Sequence, residues 1–267
     1  MRWVQIEGVA YWSLFVAVFL CVAIWESVAA KHALNIPAGR RWGKHGLLFV
    51  GSMLAVALLL RMNPVFAAMY ASHNRYGLLN TAALPFAFRC ILAVLILDFV
   101  KYAVHRAHHA FPLLWRVHQI HHSDPDFDVS TAGRAHPIEV LLTQGATLAA
   151  VFILAPPVVA VLIAELLACF QSFFEHANAS LPAGVERGLR WWIVTPDLHR
   201  VHHSREVWDQ SRNLGEIFTW WDRLLGTYSS IPQAGLEQWT PGLEEVGSAD
   251  AMRLRFLLTQ PLHPPRT

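Results

Sequence analysis

Three histidine clusters carry most of the chemistry this sequence could perform: His105-Arg-Ala-His-His109, His118-Gln-Ile-His121-His122 and His199-Arg-Val-His202-His203. On a helix, positions i, i+3 and i+4 lie on one face. His105 and His109 are therefore predicted to point together, as are His118, His121 and His122, and the trio His199, His202 and His203. Pro112 and Pro125 bracket the second cluster and confine it to a short helix, and Pro196 marks the start of the third. Neutral imidazole suits iron, zinc and copper. Eight imidazoles exceed the needs of a single tetrahedral zinc and are the right supply for two metals with open coordination positions. Of 15 histidines, 11 fall between His105 and His203, a concentration that scattered hydrogen-bonding histidines do not produce. His32, His45, His73 and His263 stand alone and read as ordinary surface or interface residues.

The elements that must position these clusters are apolar. Runs at 8–30, 47–70 and 83–104 are each long enough to cross a hydrocarbon core of about 30 Å. A longer block, 138–174, has Pro156-Pro157 in its middle and reads as two helical halves turned at the prolines. The 267-residue chain is 54% hydrophobic and only 15% charged, and its mean hydropathy is +0.34. That balance excludes an ordinary soluble domain. The 11 Trp fit a protein with two wet interfaces to anchor, among them the pairs Trp191-Trp192 and Trp220-Trp221. Net charge is +2 and no basic run suggests nucleic acid. Cys21, Cys90 and Cys169 lie far apart in apolar stretches and read as buried thiols. The first run is longer than a signal-peptide core and reads as a retained helix.

Loop charges set the orientation. Loop 31–46 holds Lys31, Arg40, Arg41 and Lys44 and no acid, whereas loop 71–82 holds only Arg75. The positive-inside rule places the first in the cytoplasm and the second outside, which brings all three histidine clusters to the cytoplasmic face. Residues 231–267 carry no apolar period and read as a soluble tail. The expected architecture is an all-α polytopic membrane protein with four to five transmembrane helices and a cytosolic histidine-rich helical cap. Its divisions are N-terminal membrane helices at 1–90, the histidine-bearing domain at 91–230 and the tail at 231–267.

The pattern resembles the fatty acid hydroxylase and sterol desaturase superfamily of membrane-bound histidine-box oxygenases. The resemblance covers roughly residues 94–229. It begins at Asp98-Phe-Val-Lys-Tyr102 and His105-Arg106 and runs through Pro112-Leu-Leu-Trp115-Arg116 and His118-x-x-His121-His122-Ser123. It continues with Arg134-x-His136-Pro137-x-Glu139, His176-Ala-Asn178 and Thr195-Pro196-x-x-His199-Arg200-Val-His202-His203-Ser204, and ends at Trp221-Asp222-Arg223-Leu-Leu-Gly226-Thr227-Tyr228. It implies a helical membrane protein whose cytosolic cap, the di-iron domain 91–230, holds two Fe ions and uses O2 on a lipid. Carried over residue by residue, the implied metal ligands are His105, His109, His118, His121, His122, His176, His199, His202 and His203. Ser172 stands where relatives can supply a further ligand, and His108 reads as a bystander. The loop after the last cluster departs from the family's Asp-Ser-Asn-Tyr-Gly: this chain has Asp209-Gln-Ser-Arg-Asn213-Leu214-Gly215.

Three further residues stay open between roles. His136 is a metal ligand or a partner to one. Asp98, two helical turns before His105, either receives an imidazole N–H or pairs with Lys101. Glu165, on the same helical face as His176, either lines a substrate channel or is buried beside a polar partner. The expected reaction is O2-dependent hydroxylation of a fatty acyl, sterol or related apolar lipid, with desaturation as the close alternative. A zinc-dependent membrane hydrolase is the more distant one. A metal transporter would want ligands near the bilayer midplane, whereas these follow helix ends. No Cys-x-x-Cys, dinucleotide fingerprint or haem motif is present, so no haem, flavin or NAD site is expected, and electrons are expected from a separate cytochrome- or ferredoxin-type donor. The implied location is the inner membrane of a bacterium or the endoplasmic reticulum of a eukaryote.

Overall fold

The computed structural model describes residues 2–235 and 237–262, which leaves His263 outside the described residues. Helices α1 (Arg2–Ala29), α2 (Ala38–Leu59) and α3 (Pro64–His73) come first, then the short α4 (Leu78–Thr81) and the long α5 (Phe86–Ala110). Next are α6 (Pro112–His122), a 3-10 turn at Val129–Gly133, α7 (Pro137–Leu154) and α8 (Val158–Glu175). Short helices follow among the described residues: α9 (Ala183–Leu189), α10 (Pro196–His202), α11 (Val207–Gln210), α12 (Trp220–Leu225), α13 (Ser248–Ala251) and α14 (Leu254–Thr259), with a 3-10 turn at Gln260–Leu262. Among the described residues, the only β-pairing is three isolated bridges.

Among the described residues, four segments are long and apolar enough to span a membrane: α1, α2 with α3, α7 and α8. The run at 47–70 is broken rather than continuous. Pro64 cannot continue a helix and instead starts α3, the Asn63 side chain caps it by accepting from Phe66 N at 2.7 Å, and Arg61 turns with φ 54°. The run at 83–104, expected as a span, lies in α5 and is not among the four; it carries Arg89, Asp98 and Lys101. Between α7 and α8 the chain turns at Ala155, φ 44°, followed by the proline pair. On α1, Val9, Trp12, Val16, Leu20 and Ile24 are exposed at spacings of three and four, a face suited to lipid, while Val18 and Val22 pack on Cys169 and Phe173.

Polar contacts tie the first loop to the histidine end. Lys31 Nζ meets Asp197 at 2.6 Å, and the backbone N–H groups of Asn35 and Ile36 donate to Asp126 at 2.9 and 2.8 Å. Glu26 accepts from Val129 N and Asn178 N at 2.8 and 2.6 Å. Arg41, fully buried, pairs with Asp124 at 2.6 Å and with Asp128. Gly77, φ 93°, packs on the α7–α8 turn so closely that a Cβ would lie 2.3 Å from Ala155 Cβ. The tail expected from 231 onward packs on the cap: Trp239 donates to Arg200 O at 2.6 Å, and Leu257 joins Leu48 and Ile120 in a buried cluster.

Removing one member of a buried ion pair strands the other charge, at a cost of about 3–5 kcal/mol. Asp124→Asn should therefore lower the thermal midpoint of the detergent-solubilised protein by several degrees, read by tryptophan fluorescence. Asp250→Asn, whose partner Arg253 is exposed, should leave it unchanged.

Candidate metal centre

The histidines converge where α5, α6 and α10 end and α8 terminates. Pro112 closes α5 one turn after His105–His109 and starts α6, folding the second cluster back onto the first. Thr195 caps α10, with Pro196 at its first position. Two groups of nitrogens result, each within 4.8 Å of one another: His105, His109, His118, His122 and His202 in one, His121, His176, His199 and His203 in the other. All nine expected histidines enter these groups. Sharing a helix face does not mean sharing a group, however. The i, i+4 pairs 105/109, 118/122 and 199/203 stay together, while His121 and His202, at i+3, cross to the opposite group. The stacked rings of His122 and His203, 4.6 Å apart, join the two.

The outer hydrogen bonds fix the tautomers. Backbone carbonyls only accept, so Nδ1 is the donor in His105 to Leu214 O at 3.0 Å and in His121 to Arg134 O at 3.2 Å. The same holds for His176 to Ser172 O at 2.7 Å and His202 to Arg212 O at 3.0 Å. His118 donates Nδ1–H to Glu139 Oε1 at 2.8 Å. Burial first, and neighbouring imidazoles second, hold His118, His121, His122, His199, His202 and His203 well below the ordinary histidine value, so they are neutral.

A neutral imidazole that donates from Nδ1 has a bare lone pair on Nε2. Those lone pairs face each other: His105 and His118 Nε2 are 3.2 Å apart, as are His121 and His176 Nε2. Nε2 of His109, His202 and His203 is buried with no partner. Such an array is repulsive unless a cation sits inside it. Two nitrogens bound to one ion at about 2.1 Å lie about 3.0–3.4 Å apart for angles between about 90° and 110°, a range that includes the spacing seen. The donor set fits metal in both groups.

Two carboxylates, Asp222 and Asp98, hold the loop that carries two of these outer carbonyls. Asp222 accepts from Leu214 N, Gly215 N and Thr227 Oγ1 at 2.8, 2.9 and 2.6 Å, fixing the segment whose carbonyls orient His105 and His202. A Cβ at Gly215 would lie 2.8 Å from both Asp222 Oδ2 and Phe218 O, so only glycine fits. Asp98 accepts from Ile217 N, Phe218 N and Trp221 Nε1 at 3.0, 3.3 and 2.8 Å, and from no imidazole. Lys101 faces Glu216 instead, at 3.7 Å. Trp221, expected as an interfacial anchor, is thereby a clamp on the loop. His136 lies outside both groups: Nδ1 caps α7 by accepting from Ile138 N, and Nε2 meets Leu258 O at 3.4 Å. His108 also lies outside them, donating to Val104 O, with Nε2 buried and unpartnered. Glu165 lines a cavity with Lys101, Tyr11 and Ser172. In the sequence, Glu139 and Asp222 stand out only as parts of motifs. The signal for Glu139 was an acid in the first turn of an apolar span, which needs a partner.

The fatty acid hydroxylase family profile matches residues 90–227. The ornithine lipid hydroxylase OlsE of Rhizobium tropici is 31% identical over 179 residues, 66% of this chain and 51% of the relative. An alkylglycerol monooxygenase of Xenopus tropicalis is 34% identical over 138 residues, 51% of this chain and 30% of the relative. Methylsterol monooxygenase 2-2 of Arabidopsis thaliana is 26% identical over 197 residues, 72% of this chain and 71% of the relative. This chain thus spans about half of the first relative and less than a third of the second. No solved structure matches it.

Metal analysis of purified protein should find two transition-metal ions per chain. The double variant His199→Ala/His203→Ala strips one group of a pair and should retain one ion; a wild type holding a single ion would overturn the two-group assignment. Glu139→Gln and Asp222→Asn remove only outer support. They should weaken metal retention about 10- to 100-fold in chelator competition while leaving the ligands in place.

Proposed function

We propose, from the premise that this chain belongs to the fatty acid hydroxylase family, that it hydroxylates a membrane lipid with O2 at a di-iron centre. The observation that carries the reading is the pair of groups of neutral, inward-facing imidazole nitrogens beneath the membrane-spanning segments. Proposed ligands are His105, His109, His118, His122 and His202 for one ion and His121, His176, His199 and His203 for the other, within the catalytic unit 91–230. Bound iron supplies O2 activation, the chemistry no side chain here can perform. The chain's own residues do the rest. Glu139 keeps the His118 proton on its outer nitrogen, and Asp98 and Asp222 hold the loop whose carbonyls do the same for His105 and His202. Insertion of one oxygen atom into a C–H bond leaves the second to be reduced to water by two electrons and two protons, so a separate one-electron carrier, a cytochrome or ferredoxin, is the proposed partner. The relatives' names span ornithine lipid, alkylglycerol and methylsterol, and the substrate is proposed here no more finely than a membrane lipid.

The clusters are proposed to face the cytoplasm. The basic loop at 31–46 is bound to the histidine cap through Lys31 and Arg41, so both lie on one side. With native cysteines removed, Cys introduced at exposed Ser211 should be shielded from an impermeant reagent applied outside, and Cys at exposed Ser72 should react. Labelling of both from outside would reject the arrangement.

Membranes containing the protein and a reductant, supplied with isotopically heavy O2, should yield a lipid alcohol carrying the heavy atom, absent in His202→Ala. A new double bond without heavy oxygen would reassign the chain as a desaturase. Turnover unchanged without O2, with zinc retained in iron-depleted cells, would reassign it as a hydrolase.

A further inference from the structure

Three cavities lie between the bilayer face of α1 and α2 and the histidines. The outermost, about 280 Å³, is walled by aromatic side chains: Tyr11, Phe15, Phe19, Trp42, Phe49 and Phe173. The middle one, about 250 Å³, still touches Tyr11 and Phe49 but adds Lys101, Glu139, Glu165 and Glu216. The innermost, about 120 Å³, is bounded by His105, His118, His121, His176 and His199. They form a series. Tyr11, Phe49 and Cys169 line both the first and the second; Lys101, Glu139, Thr143 and Glu216 line both the second and the third; Ala132 and Ser172 line all three.

Polarity along this series runs opposite to that expected of a tunnel for a hydrocarbon chain. It is apolar where it meets the membrane helices and polar where it meets the histidines. Lys101 Nζ and Glu216 Oε2 stand 3.7 Å apart, beyond direct hydrogen-bond reach, with side chains 21% and 31% exposed. Each therefore keeps capacity for another partner. Nearer the histidines, His108 Nε2 is unpartnered on a residue only 2% exposed, and that residue lines the innermost cavity. Glu175, its side chain 6% exposed, lines the same cavity, where its Oε1 comes no closer than 3.8 Å to His199 Nε2. Running methylenes past these groups would strip their water and return nothing. A head of one charge would satisfy either Lys101 or Glu216 and oppose the other. A head carrying both charges satisfies both, while its tail fills the aromatic cavity.

We infer that the substrate is an amphiphile with a zwitterionic head that enters head first, so that the carbon presented to the histidines lies in that head or within a few bonds of it. Lys101 and Glu216 are specificity-determining residues of this path. The inference rests on the oxygenase reading for its consequence, but binding orientation is measurable without turnover.

The experiment uses the protein as purified, in lipid nanodiscs and without O2, with two photoreactive lysophosphatidylethanolamines. One carries a diazirine beside the acyl carbonyl, the other at the chain terminus. After irradiation, the first should label peptides covering 98–118 and 135–144, and the second those around Phe15 and Phe49. Reversed labelling, or the same peptides with both probes, overturns the inference. In competition, unlabelled lysophosphatidylethanolamine should displace the probes and monoacylglycerol should be about tenfold weaker, the worth of a hydrogen bond to a charged group. The double variant Lys101→Met/Glu216→Leu, which keeps side-chain volume and removes both charges, should erase that preference without abolishing binding; preserved preference overturns the role of the pair. Correct labelling without a heavy-oxygen product would fault the oxygenase reading alone. A heavy-oxygen alcohol with reversed labelling would fault the orientation alone.

Discussion

Imidazoles that donate outward from Nδ1 must turn bare Nε2 lone pairs inward, and this chain packs those lone pairs against one another. At 3.2 Å, the facing Nε2 atoms of His105 and His118, and of His121 and His176, have no proton between them and repel. Protonation, the usual escape, is closed by burial, which disfavours the charged form of every ring in the array. A cation is the remaining way to satisfy the nitrogens. Much of the cap can be understood as scaffolding that keeps the proton on the outer nitrogen and the inner one bare.

That scaffolding is built from carboxylates and backbone rather than from further ligands. Asp222 and Asp98 each gather N–H donors from the 214–221 loop, so that the carbonyls of Arg212 and Leu214 are presented to His202 and His105. Glu139 reaches His118 from the first turn of a membrane-spanning helix, one of the contacts that tie the bilayer part of the fold to the metal-binding part. On the other flank, buried Arg41 binds Asp124 and Asp128 in the segment that follows His122, and Arg134 donates to Ile120 O and Ser123 Oγ. Buried polar groups are costly unless satisfied, and here Asp98, Asp222, Glu139 and Arg134 are satisfied by the segments and rings they hold in place.

The membrane-spanning part positions this cap and also shapes access to it. α8 carries Cys169 and Phe173 on the aromatic side of the cavity series and ends at Glu175 and His176 among the metal-binding groups. One helix thus spans from apolar to polar surroundings. Arg89, Asp98 and Lys101 keep α5 less apolar than the other long helices, and of these Lys101 lines the path. This is the same property that leaves it outside the set of four membrane-spanning segments.

Much of this was legible in the residues themselves. Apolar length marked the membrane helices, because a hydrocarbon core demands a fixed number of apolar residues regardless of tertiary context. Pro112 and Pro196 marked helix starts, because a missing N–H can be spared only there. The nine histidines that converge were distinguishable by spacing and resemblance from His32, His45 and His73, which do not. Pro64 starts an element inside an apolar run whose only local marks of a break are Arg61 and Asn63. What the sequence could not decide was partnership. Helical periodicity puts His118, His121 and His122 on one face, yet a face spans enough arc to serve two ions, and only the packing of α6 against α10 sends His121 one way and His122 the other. Asp98 was readable as a buried acid needing a partner, but its partners, Ile217, Phe218 and Trp221, lie more than a hundred residues away. Spacing along a chain reports which groups share an element; which groups share an ion, a proton or a cavity is set by contacts between elements, and those exist only in the folded protein.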